Sequence, residues 1–162
     1  MQIRPASDLD CSRLTAIYNH YVEHSTATFA LTGETEADRL SWLKEHQQSG
    51  LPVIVLEDEG AILGFASLSF YHQRCAYKQT VEASIYLDAG AVGRGFGASL
   101  LDELMALAKN CGFHAVLALI CSENIASVKL IERSGFVQAG LLREVGRKFD
   151  RFLDVAIWEK LL

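Results

Sequence analysis

The sequence has no run of lysine and arginine anywhere along its 162 residues, and its formal net charge is −5. Gripping a nucleic-acid backbone takes clustered positive charge, so no duplex-binding surface is expected. No stretch reaches the roughly 18 consecutive apolar residues of a membrane span. The opening MQIRPASDLD lacks the apolar core of a secretory signal, so a cytoplasmic protein without a membrane partner is expected. Cys11, Cys75, Cys111 and Cys121 are irregularly spaced and form no CxxC pair, which points to reduced thiols rather than a metal or redox motif. His20 and His24 stand at a metal-compatible spacing on an expected helix, but no third ligand accompanies them and no metal is expected. Repeats, low-complexity segments and linkers are also missing, so residues 1–162 are expected to form a single domain. What the chain does have is apolar residues, 50% of the total, enough for a substantial core without staples.

The apolar pattern predicts the elements. IRPAS reads as a short first strand, followed by a helix from about Ser7 to Glu23 with Leu14, Ile17, Tyr18 and Tyr21 on one buried face. HSTATFALTGET is polar and broken, hence a loop. A second helix runs from about Thr35 to Gln48 and stops at Gly50 and Pro52. Two apolar runs flank Asp58-Glu59-Gly60, a hairpin signal. After the loop YHQRCAYKQ, the segment TVEASIYL alternates as a strand: Val81, Ala83, Ile85 and Leu87 share one face, and Glu82, Ser84 and Tyr86 share the other. ASLLDELMALAKNCG is an amphipathic helix ended by Gly112. HAVLALIC is a continuous apolar run, predicted to be a strand covered on both faces. NIASVKLIERSGF is a short helix capped by Asn124 or Ser122 and closed by Gly135. Two strands, about Val137 to Gly146 and Phe152 to Lys160, end the chain, and the whole is a mixed α/β layer fold.

Between TVEASIYL and the following helix lies AVGRGFGASLL, with Gly93, Gly95 and Gly97 at every second position. Two phosphate-binding patterns fit it. Gly93, Gly95 and Ala98 match the dinucleotide pattern G-x-G-x-x-G/A, with Glu123 as a loosely placed acidic partner; that reading implies a nicotinamide-dependent oxidoreductase. The pattern Q/R-x-x-G-x-G/A of acyl-CoA-binding loops is met by Gly95 and Gly97. There, amides at a helix N-terminus point at pyrophosphate and the glycines let the backbone approach. Val92 stands where that pattern has Gln or Arg, leaving Arg94 as the cation of the loop. A plain glycine-rich turn is the third option.

Four further segments separate these options. IYNHYVEHSTATF, RCAYKQTVEASIYL, NIASVKLIERSGF and REVGRKFDRFLDV resemble, in that order, the phosphinothricin and methionine-sulfoximine N-acetyltransferase branch of the GNAT superfamily. The resemblance extends from Ile3 to about Lys160. It implies a mostly antiparallel, twisted mixed sheet of about seven strands with helices on both faces. It also implies an acetyl-CoA-dependent N-acetyltransferase, a small amino-acid-like amine as substrate, and a homodimer.

The chemistry asks for a base, oxyanion donors and a leaving thiolate. An α-amino group titrates near roughly 8, so a proton must go before attack. The resemblance assigns this to Glu82, in its TVE motif, as base or amine-binding group. It implies that Ile85, Tyr86 and Leu87 meet the pantetheine arm through backbone groups, one N–H serving the oxyanion. Gly93, Arg94, Gly95, Phe96, Gly97 and Ala98 would cradle the pyrophosphate, with Asn124 and Ser127 beside the arm. Phe29 and Arg74 would contact the substrate, an arginine fork being suited to a carboxylate or phosphinate. Two positions depart from the branch. Ile131 stands where an acid is usual, and a thiol pKa near roughly 8.5 lets thiolate leave without one. His72 replaces a second loop Arg. Cys75 is expected to be the only thiol near the site, and no His-acid pair stands beside it, so direct transfer is expected; His72, three residues away, leaves an acyl-enzyme as the alternative route. A non-catalytic CoA-binding module is the remaining alternative.

Overall fold

A computed structural model describes all 162 residues. Strand β1 (Gln2–Pro5) leads through a 3₁₀ turn at Asp8–Asp10 into α1 (Cys11–His24), and a loop joins it to α2 (Glu36–Gln48). Strands β2 (Val53–Asp58), β3 (Ala61–Phe70) and β4 (Thr80–Leu87) come next. Helix α3 (Phe96–Asn110), β5 (Ala115–Cys121), α4 (Ile125–Arg133), β6 (Val137–Lys148) and β7 (Arg151–Leu161) complete the chain. One seven-stranded sheet results, ordered β1-β2-β3-β4-β5-β7-β6. Every pair is antiparallel except β4 with β5. No helix is long and apolar enough to cross a membrane.

Strand alternation divides the core in two. Val53, Val55 and Phe65 face α1 and α2, meeting Leu14, Ile17 and Leu43. Ile54, Leu68, Val81 and Val116 face the other way, meeting Leu100, Leu101 and Leu104 of α3 and Ile131 of α4. Helices thus cover both faces of the sheet, as the family resemblance implies. Local chemistry fixes where they begin. The Thr35 hydroxyl accepts from the Asp38 amide at 3.2 Å, and the Asp38 carboxylate accepts from the Thr35 amide at 2.8 Å, a reciprocal cap that starts α2.

Three expectations change. The helix foreseen from Ser7 opens as a separate 3₁₀ turn because the Asp10 carboxylate is drawn back, accepting from Arg4 at 2.8 and 2.9 Å and from the Ser7 amide and hydroxyl at 2.8 and 2.9 Å. Strand β5 is not covered on both faces: Leu119 is 39% exposed, because α1 and α2 pack over β2 to β4 only. The β6–β7 hairpin turns on Phe149 and Asp150, with φ of 51° and 57°. A two-residue turn of this kind needs positive φ at both positions, but the pair is not one of the usual Asn-Gly or Asp-Gly signals.

Candidate active site

The parallel strands β4 and β5 pair only at Thr80–Ala115, Val81–Val116 and Glu82–Leu117, then part. The outer side of each remains occupied, since β3 pairs along β4 as far as Leu87 and β7 pairs along all of β5. The sheet therefore opens into a cleft beyond Glu82. Which β4 residues aim backbone groups into it follows from the alternation of strand hydrogen bonds. The Asp88 amide donates to Leu63 on the β3 side at 2.8 Å, and the Gln79 carbonyl accepts from His114 on the β5 side at 2.9 Å. Even-numbered residues thus face β3 and odd-numbered ones the cleft. The last ladder bond ties the Ala83 N–H to Leu117, and beyond it the Ala83 C=O and the N–H and C=O groups of Ile85 and Leu87 face the cleft. The Leu87 carbonyl already accepts from the Tyr21 hydroxyl at 2.7 Å.

This corrects one expectation. The Tyr86 backbone serves the β3 ladder opposite Phe65. Its ring lies among Tyr18, Tyr21 and Phe65, with centroids 5.2, 5.5 and 5.3 Å away, and burial holds its hydroxyl far above the usual tyrosine range. Tyr18 and Tyr21 belong to the same aromatic packing, as their helical spacing suggests.

A cavity of about 300 Å³ fills the cleft. Strand β4 contributes Glu82 through Tyr86, and β5 contributes Ala118 through Cys121. Helix α4 and its cap supply Asn124, Ser127, Leu130 and Ile131, and the loop after α1 supplies Thr26 through Phe29. Glu82 is the only charged residue of the lining, and it forms no ion pair or protein hydrogen bond. Removal from water pushes its carboxyl above the ordinary glutamate value, with no neighbouring charge to offset the shift.

The structure thus brings Glu82, Ile85, Tyr86, Phe29, Asn124 and Ser127 to one cavity. Asn124 also caps α4, its side-chain oxygen accepting from the Ser127 amide at 3.3 Å. Ile131, 4% exposed, is an apolar wall. Gly93 to Ala98 lie at the start of α3 outside the lining. Gly93 and Gly95 have φ of 83° and 85°, and a Cβ on either would meet nothing within 4 Å, so backbone curvature rather than crowding requires glycine. The first amides tied back into the helix are those of Ala98 and Ser99, which donate to the Gly95 carbonyl at 3.1 and 3.3 Å. The Phe96 and Gly97 amides therefore point ahead of it. Arg94 is exposed, its guanidinium carbon 4.6 Å from the centre of the Phe96 ring.

Arg74 is not brought to the cavity. It is exposed on the β3–β4 loop, where its amide donates to His72 Nδ1 at 3.1 Å. Cys75 shares that loop, so the thiol at the cavity is Cys121, the buried last residue of β5. Spacing along the chain could not show this, because Cys121 reaches the site across the sheet. Thr26 and Thr28 come to the cavity with Phe29, on the segment that resembles the family, whereas Ser84 carries no cavity signal because an alternating strand shows only which side chains share a face. The dinucleotide reading fails on topology. A 3₁₀ turn at Ala89–Ala91 separates β4 from Gly93, and β4 follows an antiparallel hairpin rather than a βαβ unit.

Residues 14–136 match the model of the acetyltransferase (GNAT) family. An L-methionine sulfoximine/L-methionine sulfone acetyltransferase of Salmonella typhimurium is 36% identical over 98% of this chain and 93% of its own length. A phosphinothricin N-acetyltransferase of Streptomyces coelicolor is 39% identical over 100% of this chain and 96% of its own. Among solved structures, a GNAT superfamily phosphinothricin acetyltransferase from Sinorhizobium meliloti in complex with acetyl-CoA superposes with a TM-score of 0.96 at 34% identity, covering 99% of this chain and 88% of that one. With the split sheet, the glycine turn before α3 and full-length relatives of this identity, the chain belongs to the GNAT family of acetyltransferases.

Proposed function

We propose that this N-acetyltransferase moves the acetyl group of acetyl-CoA directly to the α-amino group of a small amino-acid-like substrate, with Glu82 as the base. The observation that carries the reading is a lone, partly desolvated carboxylate in an otherwise uncharged cavity, placed where the sheet splits. Such a site suits an ammonium group and disfavours an anion. Glu82 accepts a proton from the amine, directly or through a water, and the free amine attacks the thioester carbonyl. The Ile85 N–H, on the open edge of β4, donates to the carbonyl oxygen as negative charge develops. Collapse of the tetrahedral intermediate then breaks the C–S bond, CoA leaves as thiolate, and the surplus proton on the new amide nitrogen passes to that thiolate or to water. Gly93 to Ala98, with Arg94, hold the pyrophosphate by amides and one cation. Asn124 and Ser127 flank the arm. Phe29 belongs to the substrate wall.

Relatives named for methionine sulfoximine and phosphinothricin support an amino-acid-like amine. The test is acetyl transfer over a panel of amino acids, methionine sulfoximine, phosphinothricin and the matching carboxylate-blocked amines. Transfer to at least one α-amine supports the reading. Acetyl-CoA binding with no transfer to any would favour a non-catalytic CoA-binding module. For direct transfer the relevant variant is Cys121→Ala: retained turnover is expected, and its loss together with an acetylated wild-type enzyme would refute the route. Arg74 has no place in this single-chain site. A homodimer through β6 fits the exposed Val137, Leu141, Leu142 and Val145 on that edge strand, with Phe149 and Phe152 at its turn.

A further inference from the structure

Lys148, near the end of β6, is 3% exposed and forms no ion pair. A buried ammonium without a carboxylate is costly unless its donors are satisfied. Here they are met by main-chain oxygens alone. Nζ donates to the carbonyls of Ser25 at 2.7 Å, Thr28 at 2.8 Å and Tyr21 at 3.3 Å. Tyr21 belongs to the last turn of α1, whose carbonyls end the helix with partial negative charge, and a cation is favoured there. Ser25 and Thr28 belong to the loop whose residues Thr26 to Phe29 line the cavity. The same strand holds that loop at a second point. Gly146 lies against the Phe29 ring, which occupies the space where any Cβ at Gly146 would sit.

We propose that Lys148 is a positioning residue for the amine substrate: a buried cation on β6 that sets the substrate-facing wall of the cavity by fastening loop 25–28 through its carbonyls. The wall and Glu82 come from elements distant in sequence, so the gap between them depends on what holds the loop. A fastening made only to main-chain oxygens leaves the Phe29 side chain free to face the cavity, while the Thr28 hydroxyl is engaged by the Tyr18 hydroxyl at 2.9 Å and the Ala30 amide at 3.3 Å. The pyrophosphate turn at Gly93 to Ala98 shares none of these contacts, so the effect is confined to the amine side. Burial, which lowers the Lys148 pKa, accords with an ammonium held by dipoles rather than by a counter-ion.

The inference rests on the proposed amine site, and two readouts keep the two apart. In Lys148→Met, steady-state kinetics with the best amine of the panel should show its KM raised at least tenfold. Acetyl-CoA affinity by calorimetry should stay within twofold, which also reports that the variant is folded. Lys148→Arg, which keeps the cation, should recover at least half of the loss on a logarithmic scale. Independently of any activity, hydrogen exchange at the amides of residues 26–29 should quicken at least tenfold in Lys148→Met, with residues 93–98 unchanged. If Lys148→Met does not fold, Lys148→Gln, neutral and of similar reach, is read in the same way. Unchanged exchange in 26–29, or amine KM and acetyl-CoA affinity weakening in parallel, overturns the positioning role. Faster exchange with no amine acetylated by the wild type leaves the fastening standing and removes the proposed substrate class.

Discussion

Replacing Glu82 with Gln keeps the size of the side chain and removes its basicity at the one charged position of the cavity. No arginine, lysine or histidine pairs with Glu82, so the substitution strands no buried counter-charge, and stability should change little. The kinetic effect should be large. General-base catalysis contributes roughly 10² to 10⁴-fold, and no second carboxylate lines the cavity to replace it, so turnover should fall by about 10²-fold or more at neutral pH. The pH profile carries a second signature. Desolvation raises the Glu82 carboxyl, and the reactive form is the carboxylate. The acidic limb of kcat should therefore lie above the ordinary glutamate range, with activity lost as pH falls through it. The assay is release of the CoA thiol at saturating acetyl-CoA and amine, from pH 5 to 9, with acetyl-CoA affinity measured separately by calorimetry. Affinity should be unaltered in Glu82→Gln. Undiminished turnover, or an acidic limb that persists unchanged in the variant, would remove Glu82 from the base role.

Arg94→Ala should weaken acetyl-CoA binding more than it slows turnover at saturation, because Arg94 is the one cation of a turn that carries Val92 at the usual Gln or Arg position; unaltered affinity in calorimetry would mean the amides of the turn suffice. Asp10→Asn should destabilise the fold by roughly 2 kcal/mol, a drop in Tm of several degrees, because Arg4 and Ser7 hold the Asp10 carboxyl at about 2 against an ordinary 3.8. The folded-state value is the lower one, so this contribution is complete above the ordinary value and disappears as pH falls toward 2. Thermal melts of wild type and Asp10→Asn should converge in that window, and a constant gap down to pH 2 would refute the assignment.

The sequence alone determined the elements wherever pattern and punctuation agree. TVEASIYL alternates with period two and is β4 from Thr80 to Leu87, because a half-buried strand must divide its side chains between two faces. Gly93 and Gly95 marked a glycine turn, which the structure builds with positive φ, and Asn124 or Ser122 marked the start of α4, where Asn124 proves to be the cap, because few residues tolerate those local conformations or supply those caps. Several motifs in order led to the family, and the Glu of TVE to the proposed base. Other features belong to the tertiary structure. Where β4 and β5 part is set by the divergence of two strands more than 25 positions apart, and the register of β4 on β3 decides that Ile85 rather than Tyr86 offers backbone groups to the cleft. Cys121 reaches the cavity while Cys75 and Arg74 stay outside it, because lining depends on which surfaces face one another across the sheet and not on nearness along the chain. Lys148 carries no signal in a linear pattern, since its partners are three main-chain oxygens more than a hundred residues away, and carbonyls are the same whatever the side chain.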